Sequence, residues 1–166
     1  TKHSAPVNMA SLEKDEKEPS PFAGKVFVLA GPPTVGKGTQ SKRLAKRFSM
    51  VHLSTGDIFR KELAKARGTS ATSESSEFGE RLGEYMDRQS YVPDEIVLNY
   101  MEHRLAQDDI HQHGCILDGF PRTADQAKAL KGFVEVEAFI LLEVPDSVLR
   151  KRAPGRRVHT STGDIY

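Results

Sequence analysis

A glycine-rich segment that ends in a lysine is the part of this sequence best suited to chemistry. It runs from Gly31 to Lys37 and satisfies the pattern G-x-x-x-x-G-K. An apolar run, Lys25 to Ala30, precedes it directly and residues of helical composition follow it, which is the context that the motif requires. Its glycines let backbone amides turn toward phosphate oxygens, and the lysine adds positive charge. The segment, called the phosphate loop below, therefore predicts phosphate binding. The alternative is a strand-to-helix turn with a solvent-exposed lysine.

Two further groups near this loop suit a metal ion or a phosphate. The first hydroxyl after the lysine belongs to Thr39, which could face magnesium. Asp118 ends the third predicted strand and could hold magnesium through water, while Arg122 in "DGFPRT" could bind a phosphate through two parallel hydrogen bonds. The alternative for this segment is a turn in which Thr123 and Gln126 form a capping box at the start of a helix.

Two arginine-containing segments admit both a structural and a functional interpretation. "STGDIFR", Ser54 to Arg60, is typical of a helix cap followed by a surface arginine. "RAPGRR", Arg152 to Arg157, is typical of a solvated basic patch. Next to a phosphate loop, the second segment could instead supply movable cations that cover a phosphoryl group during transfer.

Strands that alternate with helices must position these groups. This order predicts an α/β fold with a parallel sheet that helices cover on both faces, and ligands bind beyond the carboxyl ends of such strands. Apolar faces at Phe78 to Met86 and Ile96 to Leu105 predict two helices with core-facing stripes. The other predicted elements are strands over 25–30, 50–54, 114–118 and 137–144, and helices over 39–48, 57–67, 123–133 and from Pro145.

Composition limits the classes of function. With 166 residues, 37% hydrophobic and 28% charged, the chain has the length and composition of one globular domain. A net charge of +1 argues against binding to nucleic acid or to a membrane surface. The single cysteine, Cys115, excludes an internal disulfide and a cysteine-only zinc site, and its apolar neighbours predict a buried thiol. No stretch resembles a membrane span or a secretory signal, so we expect a cytoplasmic protein, with a mitochondrial location as the alternative.

Five motifs in a fixed order resemble the adenylate kinases of the nucleoside monophosphate (NMP) kinase family. They are GxxxxGKGTQ, STGDxxR, VPDE, DGFPRTxxQ and RxxGRRVH, and the resemblance extends from Lys25 to Tyr166. It implies a P-loop fold of three α/β/α layers with a helical NMP-binding lobe and a lid of the long type. It also implies reversible, Mg²⁺-dependent transfer of a phosphoryl group, ATP + AMP = 2 ADP, without a covalent intermediate.

The resemblance also implies roles for individual residues. The ATP-binding residues would be Thr34, Val35, Gly36, Lys37, Gly38, Thr39, Arg152, Arg156, Ile165 and Tyr166. The AMP-binding residues would be Thr55, Arg60, Ser90, Tyr91, Val92, Gly119, Phe120, Pro121, Arg122 and Gln126. Lys37, Arg122 and Arg156 would be catalytic, and Asp118 would hold Mg²⁺ through water, with Thr39 as a second candidate. His52 and His159 would not act as bases; His52 is expected to pack beside the second strand.

The same resemblance divides the chain into regions. Residues 1–23 are expected to form a disordered leader, 24–54 and 93–153 the core, 55–92 the NMP-binding lobe, and 154–166 the start of the lid. Further lid arginines, a last strand and a final helix would follow Tyr166, so we expect the complete protein to be longer. The expected ligands are ATP and AMP, and the expected state is a monomer.

Several residues depart from the family's pattern and leave alternatives open. Thr34 replaces a usual glycine, so its backbone either avoids positive φ or is strained. Tyr91 replaces a leucine, Asp164 replaces a frequent arginine, and the polar loop 68–77 is longer than usual. The alternatives are a kinase for another NMP, an AMP kinase that uses GTP, and a nucleotide-binding regulatory module without turnover. A switch GTPase is disfavoured because the sequence has no N-K-x-D motif.

Overall fold

A parallel four-stranded sheet forms the centre of the protein in the computed structural model. The structure describes residues 20–68, 77–88, 90, 92–155 and 157. The strands are β1 (Val26–Ala30), β2 (Val51–Ser54), β3 (Cys115–Asp118) and β4 (Val136–Leu141), and their order in the sheet is β2-β3-β1-β4. All neighbouring pairs are parallel, as the alternation of elements along the sequence predicts.

Helices connect the strands. They are α1 (Lys37–Arg47), α2 (Thr55–Ala66), α3 (Glu77–Asp87), α4 (Asp94–Leu105), α5 (Asp108–His113), α6 (Ala124–Phe133) and α7 (Asp146–Arg152), followed by a 3₁₀ turn, Ala153–Gly155. Helix α2 begins at Thr55 because the Ser54 hydroxyl accepts a hydrogen bond from the Asp57 amide at 3.3 Å. Helix α5 was not predicted, because its six residues bury a single apolar side chain, Ile110, and show no period.

Alternate residues of β1 enter two different hydrophobic clusters. Val26 and Val28 belong to a large cluster with residues of α3, α4, α5 and α6. Leu29 belongs to a smaller cluster with Ala45 of α1 and Ile116 of β3, against which Phe27 packs. Successive side chains of a strand point to opposite faces of the sheet, so helices cover β1 on both sides. The predicted three-layer α/β/α architecture is confirmed.

The predicted fourth strand needs correction. It was expected over 137–144, but β4 ends at Leu141. It was also expected to be covered on both faces, yet Phe139 is 61% exposed and Leu141 is 55% exposed. Among the described elements β4 pairs with β1 alone, so its outer edge has no neighbouring strand there.

The boundary of the expected leader also needs correction. Ser20 is buried and its hydroxyl donates to the Phe48 carbonyl at 2.7 Å. Phe22 packs edge-to-face against both Phe27 and Phe48, with ring centroids 5.3 Å apart in each pair. These aromatic contacts bury apolar surface, so the packed chain begins before residue 24. Residues 1–19 of the expected leader lie outside the described residues.

No helix in the described ranges combines the length and the apolar character needed to cross a bilayer. Cys115 is fully buried at the start of β3, as predicted. Desolvation raises the pKa of its thiol to about 12. Since the thiolate is the reactive form, this cysteine is protected both by burial and by its protonation state.

The reactivity of Cys115 should therefore report unfolding. A thiol reagent at pH 8 is expected to label the native chain at less than about 1% of the rate measured in denaturing urea. The labelling rate reports on Cys115 specifically because the chain has one cysteine. Rapid stoichiometric labelling of the native protein would contradict the described packing of β3.

Candidate nucleotide-binding site

The register of the sheet brings the predicted loops together at one edge. Leu29 of β1 and Ser54 of β2 both pair with Asp118, the last residue of β3. Because the strands are parallel, the phosphate loop, the start of α2 and the segment after Asp118 all leave the sheet on the same side. Two groups of predicted site residues lie there, one around Lys37 and one around Arg122.

Positive φ angles shape the phosphate loop. Gly31 has φ 141°, and a Cβ there would lie 2.6 Å from the Leu142 carbonyl oxygen. Gly36 has φ 108° and caps α1, whose first turn contains no acidic residue. The Lys37 ammonium donates to the carbonyls of Gly31 at 2.8 Å and Pro32 at 2.9 Å. The loop thus places a cation beside the positive end of a helix dipole, an arrangement suited to an anion.

The backbone of Thr34 is strained, which is one of the two alternatives that the sequence left open for this residue. Its φ is 65°, in the left-handed region that glycine occupies without penalty. A β-branched side chain in that region costs about 1 to 3 kcal/mol. The Thr34 hydroxyl donates to the carbonyl oxygen of Leu149 in α7 at 3.5 Å. A second hydrogen bond joins the same two elements, from the Arg152 guanidinium to the Val35 carbonyl at 3.3 Å.

An open cleft of about 230 Å³ lies beside Arg122 and is called the Arg122 cleft here. It contains residues from most of the predicted AMP side and apolar residues from α2, α3 and α4. Its lining residues are Thr55, Phe59, Met86, Ser90, Val92, Val97, Gly119, Phe120, Arg122 and Gln126. Arg60 and Pro121 of the predicted AMP side do not line it.

Three of the lining residues, Phe59, Met86 and Val97, were not among the predicted site residues. Met86 and Val97 were assigned to core-facing helix stripes. For Met86 that assignment is wrong, because its side chain is 49% exposed at the end of α3. Phe59 stands inside the "STGDIFR" motif, and its position there was the available signal.

Hydrogen bonds hold Arg122 at the cleft. Its Nε donates to the Gly119 carbonyl at 2.6 Å, and its Nη2 lies 3.4 Å from the Thr55 hydroxyl. Thr55 donates to the same Gly119 carbonyl at 3.0 Å. Gly119 has φ 80°, and a Cβ there would lie 2.9 Å from the Thr55 hydroxyl oxygen. Any larger residue at 119 would therefore disturb the guanidinium.

Gln126 is 2% exposed and fixed by two side-chain hydrogen bonds. Its Nε2 donates to Asp94 Oδ1 at 2.6 Å, and its Oε1 accepts from the Arg122 amide at 2.7 Å. The predicted capping box is half present. The Thr123 hydroxyl accepts from the Gln126 amide at 3.1 Å, but the Gln126 side chain accepts from Arg122 rather than from Thr123.

Arg60 is held within its own helix. Its guanidinium forms an ion pair with the Asp57 carboxylate one turn earlier in α2, and its side chain is 34% exposed. It projects from the same helix that supplies Thr55 and Phe59 to the Arg122 cleft.

A carboxylate and a histidine lie under the first turn of α1. Asp118 is 8% exposed, and its Oδ2 lies 3.3 Å from where a Cβ of Gly38 would stand. The same oxygen is 3.5 Å from His52 Nε2, a buried atom that has no hydrogen-bond partner within the described part of the chain. The expected place of His52 in β2 is confirmed, but its proximity to Asp118 was missed. His52 pairs with Ile116, two residues before Asp118 on the same face of the sheet. This register predicts the proximity of His52 to Asp118, but the sequence alone does not reveal the register.

Four predicted site residues lie outside the described residues: Tyr91, Arg156, Ile165 and Tyr166. The same holds for His159, Asp164 and most of the polar loop 68–77.

Comparison with known proteins decides the family. The family model for adenylate kinase matches residues 29–162, which is most of the chain. The chain belongs to the adenylate kinase family. The match includes the phosphate loop, the strand ends and every predicted site residue up to Arg156.

Individual adenylate kinases from bacteria and plants are similar to the chain. An adenylate kinase of Clostridium perfringens (strain SM101 / Type A) is 44% identical over 145 residues, which is 84% of this chain and 62% of the bacterial protein. The "Probable adenylate kinase 2, chloroplastic" of Oryza sativa subsp. japonica is 42% identical over 140 residues, covering 84% of this chain and 45% of the rice protein. The "Adenylate kinase, chloroplastic" of Zea mays is 41% identical, with 84% and 59% covered. The chain thus spans less than two thirds of the length of these relatives.

The packing at Gly31 generates a stability prediction. Gly31→Ala places a Cβ against a backbone carbonyl and requires a strained φ, so we expect the free energy of unfolding to fall by about 2 kcal/mol or more. Gly132→Ala in α6 is the matched control, because a Cβ at that position meets nothing within 4 Å. It should leave stability unchanged or raise it by up to about 1 kcal/mol. Equal urea midpoints for the two variants would contradict the described loop.

Proposed function

We propose that the protein is an adenylate kinase that catalyses reversible phosphoryl transfer from ATP to AMP. The observation that carries this proposal is the parallel pairing of β1 with β3, which puts the Lys37 ammonium and the Arg122 cleft at neighbouring strand ends. Phosphoryl transfer between two nucleotides needs two anion sites side by side, and this register supports such an arrangement.

On the donor side, the phosphate loop would hold the ATP phosphates. Thr34 to Thr39 would offer backbone amides, and Lys37 would neutralise charge on the transferred group. Arg152, at the end of α7, would lie against the ATP base. It contacts the loop through the Val35 carbonyl, which supports its place on this side. The contributions of Arg156, Ile165 and Tyr166 stay predictions.

On the acceptor side, the Arg122 cleft would hold AMP. Arg122, supported by Thr55 and Gly119, would bind the phosphate, and Arg60 would add a second cation from α2. Ser90 and Val92, with Tyr91 as a prediction, would run along the adenine, and Phe120 and Pro121 would border it. Apolar Phe59 and Val97 suit the flat faces of a base. Gln126 keeps one amide hydrogen and one oxygen lone pair beyond its two hydrogen bonds, so it retains the groups needed to recognise an adenine edge.

The reaction requires alignment more than a nucleophilic side chain. An oxygen of the AMP phosphate would form a bond to the terminal phosphorus of ATP as the bond to the bridging oxygen of the leaving ADP breaks. Lys37 and Arg122 would neutralise the negative charge that otherwise keeps the two nucleotides apart, and Arg156 is predicted to do the same. Enclosing the site excludes water, which would otherwise accept the phosphoryl group.

The residues present fit a magnesium ion bound together with ATP. Asp118 offers a carboxylate directly under the first turn of α1, and Thr39 offers a hydroxyl on that helix, both hard oxygen donors. In the described part of the chain, no cluster of three or more His, Cys, Asp and Glu side chains is arranged to hold a metal. As the family resemblance implies, Asp118 would act through water, with the nucleotide phosphates supplying other ligands. The ion would contribute charge neutralisation at the phosphate oxygens.

Nothing in the described site favours GTP as donor, another NMP as acceptor, or a regulatory module without turnover. The monomeric state, the absence of nucleic-acid and membrane partners, and the cytoplasmic location also stay predictions.

Replacing Lys37 tests the donor assignment. In an assay of ADP formation on the full-length protein, Lys37→Met should lower kcat by about 100-fold or more, because it removes charge stabilisation at the transferred group. Lys42→Met is the matched control on the exposed side of the same helix and should retain wild-type activity. Tight ATP binding without turnover would overturn the kinase proposal, whereas turnover that survives Lys37→Met would overturn the assigned role of Lys37.

Comparing acceptors tests the base assignment. AMP should exceed UMP, CMP and GMP in kcat/KM by about 100-fold, since a site that hydrogen-bonds a base rejects analogues that leave its polar groups unpaired. The measurement uses ATP as a common donor and each acceptor in turn. If another NMP were the preferred acceptor, the protein would still be an NMP kinase, but the role assigned to Gln126 would be wrong.

A further inference from the structure

The contact between the phosphate loop and α7 is reciprocal. Thr34 donates its hydroxyl hydrogen to the Leu149 carbonyl at 3.5 Å, and Arg152 donates to the Val35 carbonyl at 3.3 Å. The loop therefore donates one hydrogen bond to the helix and accepts one from it. Because the two bonds involve adjacent loop residues and the last turn of α7, they restrain the end of the helix relative to the loop.

The hydroxyl gives Thr34 a use that glycine would lack. In the described residues, Thr34 and Ser49 are the residues other than glycine with positive φ. A glycine at position 34 would adopt φ 65° without steric cost, whereas a β-branched residue is penalised there. Its hydrogen bond to Leu149 is the polar contact that the threonine side chain adds.

The accepting carbonyl lies at the negative end of α7. Leu149 already accepts from the Ala153 amide, so the Thr34 hydroxyl is its second donor. Carbonyls in the last turn of a helix carry the negative end of its dipole and are good acceptors. Arg152 belongs to that same turn, so a restraint on Leu149 also restrains the backbone that carries the arginine.

We propose that Thr34 is a positioning residue: its hydroxyl holds the last turn of α7 against the phosphate loop and thereby places Arg152 for the donor nucleotide. The Thr34 hydroxyl, as distinct from the Thr34 backbone amide, acts through Arg152 and not by touching the transferred phosphoryl group. The inference rests on the donor side of the proposed function. Its effect is confined to that side, because the Arg122 cleft is built from other elements.

Two substitutions in the full-length protein separate the hydroxyl from the shape of the side chain. Thr34→Val keeps the β-branched shape and its backbone cost but removes the hydroxyl, whereas Thr34→Ser keeps the hydroxyl. We expect Thr34→Val to raise KM for ATP about fivefold, the effect of losing one neutral hydrogen bond, with KM for AMP unchanged. Thr34→Ser should stay within about twofold of the wild type for both substrates.

A double-mutant cycle with Arg152→Ala tests whether the hydroxyl acts through the arginine. In the Arg152→Ala background, Thr34→Val should change KM for ATP by less than about twofold, because the group that it positions is already absent. The same fivefold increase in both backgrounds would overturn the proposal. So would an equal increase in KM for AMP, or a Thr34→Val variant identical to the wild type.

Calorimetric titration of ATP into the same variants distinguishes failure of this inference from failure of the proposed function. The dissociation constant for ATP should follow the pattern expected for its KM. If wild-type protein binds ATP but transfers no phosphoryl group, the proposed kinase activity is refuted. The double-mutant cycle, measured as dissociation constants for ATP, would still test the role of Thr34. Wild-type protein that does not bind ATP would overturn both.

Discussion

The parallel pairing of β1 with β3 is the constraint on which the rest of the structure depends. It sets Leu29 beside Asp118, so that the phosphate loop and the segment carrying Gly119 and Arg122 leave the sheet side by side. Residues of α3, α4, α5 and α6 pack on one face of β1 and α1 packs on the other, which fixes the sheet between two layers. A shift of one residue in this register would send the side chains of β1 to the wrong face and change the position of the phosphate loop relative to Arg122.

Backbone carbonyls hold the site's cations in place. Lys37 donates to Gly31 and Pro32, Arg122 donates to Gly119, and Arg152 donates to Val35. Donors that are already oriented need little rearrangement when charge develops near them, which is the physical basis of electrostatic catalysis. The near-neutral net charge of the chain is consistent with cations concentrated locally at these strand ends.

Local patterns predicted most of the architecture, whereas contacts between distant residues decided what they missed. The phosphate loop, the four strands and the Ser54 cap follow from short motifs and apolar runs. The strained φ of Thr34 could not be chosen from the sequence, because its partner Leu149 is 115 residues away. The proximity of His52 to Asp118 depends on the register of β2 against β3, and the exposure of Met86 depends on how α3 packs. The exposure of the β4 side chains likewise depends on which elements adjoin this strand, and the sequence of β4 alone does not determine it.

Binding of a bisubstrate compound tests the central claim that two nucleotide sites lie side by side. The compound would join two adenosines through a polyphosphate chain, and its binding to the full-length protein would be measured by calorimetry. Occupying both sites with one molecule should give one compound per protein and a dissociation constant at least about 100-fold below that of ATP. Two compounds per protein, or an affinity no better than that of ATP, would contradict the account.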